Sequence, residues 1–73
     1  MKKQRIDKIV TKSVSERIKH LREQKGISQE TFFIDTDIHI ARIESGHANI
    51  TVSTLSDICK YLNISLNEFF NNI

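Results

Sequence analysis

The chain has 73 residues, 38% of them hydrophobic and 27% charged, with a formal net charge of +2. That length allows one small domain of marginal stability, and the apolar content excludes intrinsic disorder. No apolar run nears the about 18 residues of a membrane span, no signal peptide heads the chain, and the lone Cys59 excludes an internal disulfide, so a cytoplasmic setting is expected.

The charge is uneven along the chain. Residues 1–12 carry five basic side chains and one acid, whereas residues 13–73 carry six basic and eight acidic ones. The expected organisation is a basic N-terminal arm, 1–12, followed by a helical domain, 13–73. Lys2, Lys3, Arg5 and Lys12 in the arm suit phosphates or a minor groove, and a solvated terminus is the alternative.

A first helix is predicted over about Ser13 to Lys25. Ser13-Val14-Ser15-Glu16 has the form of a capping box, and Val14, Ile18 and Leu21 share one face. Lys19, Arg22 and Lys25 bring cations toward its C-terminus, and Gly26 stops it. Ile6, Ile9 and Val10 extend the stripe backward, so an earlier start near Ile6 is open. Ser28 caps a second helix, Gln29 to about Ile34. A third runs from about Asp37 to Ser45, with Thr36 as cap, Gly46 as stop, and Ile40 and Ile43 inward. Thr51 caps a fourth, Val52 to Leu62, with Leu55, Ile58, Cys59 and Leu62 inward. Ser65-Leu66-Asn67-Glu68 opens a fifth, Leu66 to Asn71. The expected fold is all-α, a compact five-helix bundle.

Three blocks carry a more specific pattern. They are Ile18-x-x-Leu21-Arg22-Glu23-x-Lys25-Gly26-Ile27-Ser28-Gln29-Glu30, then Arg42-Ile43-Glu44-x-Gly46, then Thr54-Leu55-x-x-Ile58-Cys59-x-Tyr61-Leu62-Asn63-Ile64-Ser65-Leu66-x-Glu68-Phe69-Phe70. Together they resemble the phage-repressor/Cro-like family, also called the XRE family of helix-turn-helix regulators. The resemblance runs from Val14 to about Phe70. It implies a DNA-binding domain, usually a dimer on a palindromic operator. It places Gln29, behind the Ser28 cap, on the DNA backbone. It places Asp37, Ile38, Ala41 and Arg42 of the third helix in the groove, and His47, Ala48 and Asn49 near phosphate. Thr36 and His39 join this DNA-facing set. The same resemblance implies a structural ion pair between Arg22 and Glu44.

The residues add their own physics. A helix N-terminus such as Ser28-Gln29 can hold a phosphate. Arg42 alone on the third helix can reach a guanine with two hydrogen bonds. Asp37 can accept from cytosine, or support the helix N-terminus through its dipole. Ile38 suits either a thymine methyl or the core.

The chain also departs from the family pattern. Between Gln29 and Glu44 it is about three residues short, and the shortage is expected near Ile34-Asp35-Thr36. No glycine serves that turn, so Asp35 or Asp37 must take any left-handed conformation. Phe33 stands where the family has a small residue at the crossing of the two helices, and its ring is expected to fill space left by the deletion. The third helix is then about two turns long and tilted.

Other chemistry finds little support. His20, His39, His47 and Cys59 lack metal-ligand spacing, and no nucleophile–base pair or phosphate-cradling glycine loop occurs, so neither an enzyme, a metal nor a cofactor is expected. Tyr61, Leu66, Phe69, Phe70 and Ile73 close the core or form the seam of a homodimer. The leading expectation is a cytoplasmic, dimeric, sequence-specific repressor on double-stranded DNA. With no room for a sensor domain, control would come from concentration, a partner or proteolysis. The alternative is a protein-interaction module of the same fold, antitoxin-like, with weak nonspecific DNA binding.

Overall fold

A computed structural model describes residues 7–71. Five helices follow one another: α1 (Lys8–Gln24), α2 (Gln29–Thr36), α3 (Ile40–Glu44), α4 (Val52–Tyr61) and α5 (Leu66–Asn71). No strand occurs among the described residues, and the all-α bundle expected from the sequence is the one the chain adopts. Lys2, Lys3 and Arg5 of the arm and Ile73 of the expected seam lie outside the described residues.

α1 begins well before Ser13. Asp7 is its cap, accepting from the N–H of Ile9 at 3.0 Å and of Val10 at 3.1 Å. Aspartate caps as well as serine does and adds charge–dipole attraction, so the Ser13 capping box is not used. Lys8 and Lys12, basic residues of the expected arm, are helical. Ile9 and Val10 are exposed, so the apolar stripe enters the core only at Val14. Ser15, no longer near a helix start, is buried inside α1. Its hydroxyl proton is shared between Thr11 O at 2.9 Å and Ile43 O at 2.8 Å, which ties α1 to α3.

Val14, Ile18 and Leu21 of α1 pack with Ile40 of α3, Leu55, Ile58 and Cys59 of α4, Leu62 behind it, and Phe69 of α5. Phe32 of α2 completes this core, fully buried and edge-on to Tyr61 with ring centroids 4.7 Å apart. Burying one such ring contributes about 1.5–3 kcal/mol, a large share for a small domain. Burial pushes the Cys59 thiol up, as for a small apolar filler. Thr51 and Ser65 cap α4 and α5 as expected, through the N–H of Thr54 and of Glu68, each at 3.0 Å.

Two helix ends close in the same way. After α1, Gly26 at φ +68° lets Ile27 N–H reach Arg22 O at 3.2 Å. After α4, Asn63 at φ +59° lets Ile64 N–H reach Cys59 O at 2.9 Å. Both returns satisfy carbonyls that a helix end leaves open. At α5 a side chain does the same work. Arg17 donates to the carbonyls of Phe69 and Glu68, at 3.2 and 3.4 Å, and lies over the Phe69 ring.

Of the aromatic pair on α5, Phe69 is sealed in the core and is no longer available to a dimer seam. Phe70 is 48% exposed, and Tyr61 and Leu66 are half-buried. The Tyr61 hydroxyl donates to Asp35, and that hydrogen bond holds it above the ordinary phenol range.

Candidate functional site

The helix-turn-helix is built differently from the sequence expectation. α2 does not stop at Ile34 but continues to Thr36, and α3 starts only at Ile40. The missing residues are therefore taken from the first turn of α3, not from the end of α2. Asp37 ends α2 in the left-handed region at φ +60°, with its N–H on Phe33 O at 2.7 Å. Two residues then reverse the chain. The link is too short for a side-chain cap on α3, and His39 at the N-cap position supplies none.

This geometry re-sorts the predicted residues. Thr36 is no cap of α3: its hydroxyl donates to Phe32 O at 2.7 Å and accepts from Ile38 N–H at 3.1 Å. Ile38 is half-buried: it packs against the core and also borders the open concavity beside His39 and Arg42. Asp37 lies outside the first turn of α3, at the C-terminal end of α2. A carboxylate there meets the negative end of the α2 dipole. Asp37→Asn keeps a residue that tolerates φ +60° and removes that repulsion. It is expected to stabilise the fold by about 0.3–1 kcal/mol, read as a shift in the urea midpoint. A destabilised variant would show that the carboxylate has a favourable partner.

The remaining residues converge. Asp37, His39, Arg42, His47, Asn49 and Thr54 line one open concavity of about 560 Å³. On the other side of α3 a cleft of about 400 Å³ runs between the start of α2 and α3, walled by Gln29, Phe33, His39, Ala41 and Arg42. Arg42 and His39 stand on the ridge between the two. The Ser28 hydroxyl accepts from Thr31 N–H at 3.0 Å and so caps α2 beside this ridge. Phe33 does not fill the helix crossing. It is 37% exposed, and its ring lies against His39, centroids 4.7 Å apart.

A polar network holds the ridge in place. Arg22 donates Nε to Glu44 Oε2 at 2.7 Å and Nη2 to Glu44 Oε1 at 3.0 Å. Its Nη1 donates to Ile27 O at 2.7 Å, and Gln29 Nε2 reaches Glu44 Oε1 at 3.0 Å. One carboxylate thus joins α1, the turn after it, the first residue of α2 and the last of α3. Gln29, expected on DNA, has its amide nitrogen engaged in this network.

A third groove, about 560 Å³, lies between α1 and the loop after α3. Lys8, Lys12 and Lys19 line it along one face of α1, with Glu16 and Glu44, and Ser45 to Asn49 form its other wall. Of these lysines only Lys12 is among the residues expected at the site. The stripe emerges once α1 starts at Lys8, because Lys8 and Lys12 are then one turn apart. His47 and Asn49 border both this groove and the open concavity beside Arg42, so the two surfaces are continuous.

Among the described residues no group of three or more His, Cys, Asp and Glu side chains could hold a metal ion, and no helix is long and apolar enough to cross a membrane. A family model described as helix-turn-helix matches residues 18–69. Neither a curated protein nor a solved structure matches the chain.

Proposed function

Because the chain belongs to the XRE-type helix-turn-helix family of DNA-binding regulators, we propose that it reads a specific operator as a dimer and represses transcription in the cytoplasm. The observation that carries this reading is the convergence of Arg42, His39, Asp37, His47 and Asn49 on one exposed concavity. Arg42 supplies the base contact, and the lysine groove on α1 supplies phosphate contacts beside it. Ser28 and Gln29 bring the start of α2 to the backbone, where the free N–H groups of a helix start favour an anion. Lys2, Lys3 and Arg5, outside the described residues, add positive charge for phosphate contacts. The dimer forms through the exposed Phe70 with Tyr61, Leu66 and Ile73, which sets two copies of α3 about one DNA turn apart.

Selection on random duplexes with the purified full chain tests the reading. A palindromic consensus is expected, and recovery of no consensus would sink it. Salt dependence tests the lysine groove. Lys12→Ala and Lys19→Ala are each expected to weaken binding alike on all duplexes. Each should also reduce the slope of log K against log salt by about 1. An unchanged slope would remove α1 from the interface.

A second reading draws on the five-residue α3. A recognition helix enters the groove by its N-terminal residues, and here that turn is missing. The same surface would then hold a protein partner, with duplex DNA bound weakly and without sequence preference.

A further inference from the structure

We propose that the cleft between α2 and α3 receives the C5-methyl edge of a thymine lying next to the guanine that Arg42 reads. This rests on the DNA-reading function proposed above and names the chemistry of one base within it. The cleft is open because α3 begins at Ile40, so no earlier helical turn covers it. Its walls are the rings of Phe33 and His39 and the methyl group of Ala41, which is exposed. Phe33 remains 37% exposed, an apolar ring set against His39 at the mouth of the cleft.

The charges at the rim select the occupant. Arg42 stands at one side, and its side chain is exposed. Glu30 also lines the cleft and would repel a phosphate placed inside it, as distinct from one held outside at the Ser28 cap. A base edge therefore suits the cleft better than the DNA backbone does. In the major groove guanine offers two acceptors, O6 and N7, that fit a guanidinium. Thymine alone of the four bases offers a methyl group, the natural partner of Phe and Ala side chains. Arg42 and the cleft beside it thus match two neighbouring bases, one through hydrogen bonds and one through apolar contact. Ile40, the remaining apolar residue at the cleft, is buried in the core.

The test uses the full chain and a duplex recovered by selection. Each thymine is replaced in turn by deoxyuridine, which removes the methyl group and keeps every hydrogen-bonding atom. At the thymine beside the Arg42-dependent guanine, the loss in affinity is expected to be about fourfold, the worth of one buried methyl. Phe33→Ala should bind the thymine and deoxyuridine duplexes equally, and Phe33→Leu should keep part of the preference. If Arg42 is still required but no deoxyuridine position matters, the inference fails and the DNA reading stands. If the preference persists unchanged in Phe33→Ala, the methyl group sits elsewhere and the cleft is not its site. If selection yields no consensus, the underlying reading fails first.

Discussion

Glu44→Ala is expected to cost about 3–5 kcal/mol of folding stability, because it leaves the buried Arg22 guanidinium without its carboxylate. A domain of this size has only about 4–10 kcal/mol to lose, so the variant should be largely unfolded in mild urea. The Arg22 and Glu44 side chains are 9% and 3% exposed, which separates this pair from surface ion pairs worth about 0–1 kcal/mol. In Glu44→Ala the guanidinium would keep only Ile27 O, and Gln29 would lose its acceptor. Arg22→Lys should also be costly, because an ammonium cannot reproduce two parallel bonds to one carboxylate and a third to a carbonyl. Replacing both partners by apolar residues, Arg22→Met with Glu44→Leu, is expected to recover most of the loss, since neither charge is then stranded.

Urea unfolding followed by circular dichroism gives the comparison. A loss below about 1 kcal/mol for Glu44→Ala would show that the pair behaves as if solvated. The hydrogen bond to Glu44 raises Arg22 above its ordinary value. A raised cation stabilises at every pH below its unfolded value and loses that contribution only above it. Arg22 therefore adds no pH dependence near neutrality.

Particular residues show what the sequence could reveal. The α4 face was legible because Leu55, Ile58, Cys59 and Leu62 recur at helical spacing behind a Thr51 cap, and all four are buried. The Gly46 stop was legible because a left-handed residue must follow α3, here at φ +81°. The start of α1 was not, because two good caps compete. Asp7 and Ser13 both fit, and the longer helix wins by adding the turns that carry Lys8 and Lys12. Phe32 and Phe33 are adjacent and chemically alike. Only the direction of α2 decides that Phe32 is sealed and Phe33 half-exposed.

The turn between α2 and α3 was the hardest segment to read. Pattern alone locates the shortage but not the helix that loses residues. The decision falls to Asp37, whose short polar side chain tolerates the left-handed region at the end of α2. The candidate site inherits this. Thr36 is spent on the end of α2 and Ile38 is half-buried, while Lys8, Lys19, Phe33 and Thr54 line surfaces that the linear pattern did not connect.

Arg42→Ala is expected to weaken binding to the selected operator by about 1–3 kcal/mol and to relax preference at one base pair. Arg42 sits on the exposed side of α3, so its removal should leave the fold intact. The only structural cost is its modest support of the α3 C-terminus, about 0.3–1 kcal/mol at most. The pattern of loss, more than its size, identifies the role. A guanine contact predicts a large loss on the operator and a small one on unrelated duplexes. A phosphate contact predicts equal losses on both, with a salt slope lower by about 1. Arg42→Lys sharpens the distinction, because lysine keeps the charge but cannot place a planar fork across O6 and N7. It should therefore restore unrelated-duplex binding more fully than operator binding. Deleting residues 1–6, ahead of the Asp7 cap of α1, supplies the opposing control. Loss of all binding on that deletion, with no effect of Arg42→Ala, would reduce the chain to a nonspecific cationic binder. With the first turn of α3 missing, sequence reading has few other side chains to rest on. His39 and Asn49 remain at the concavity, and neither offers the paired donors that make arginine a guanine reader.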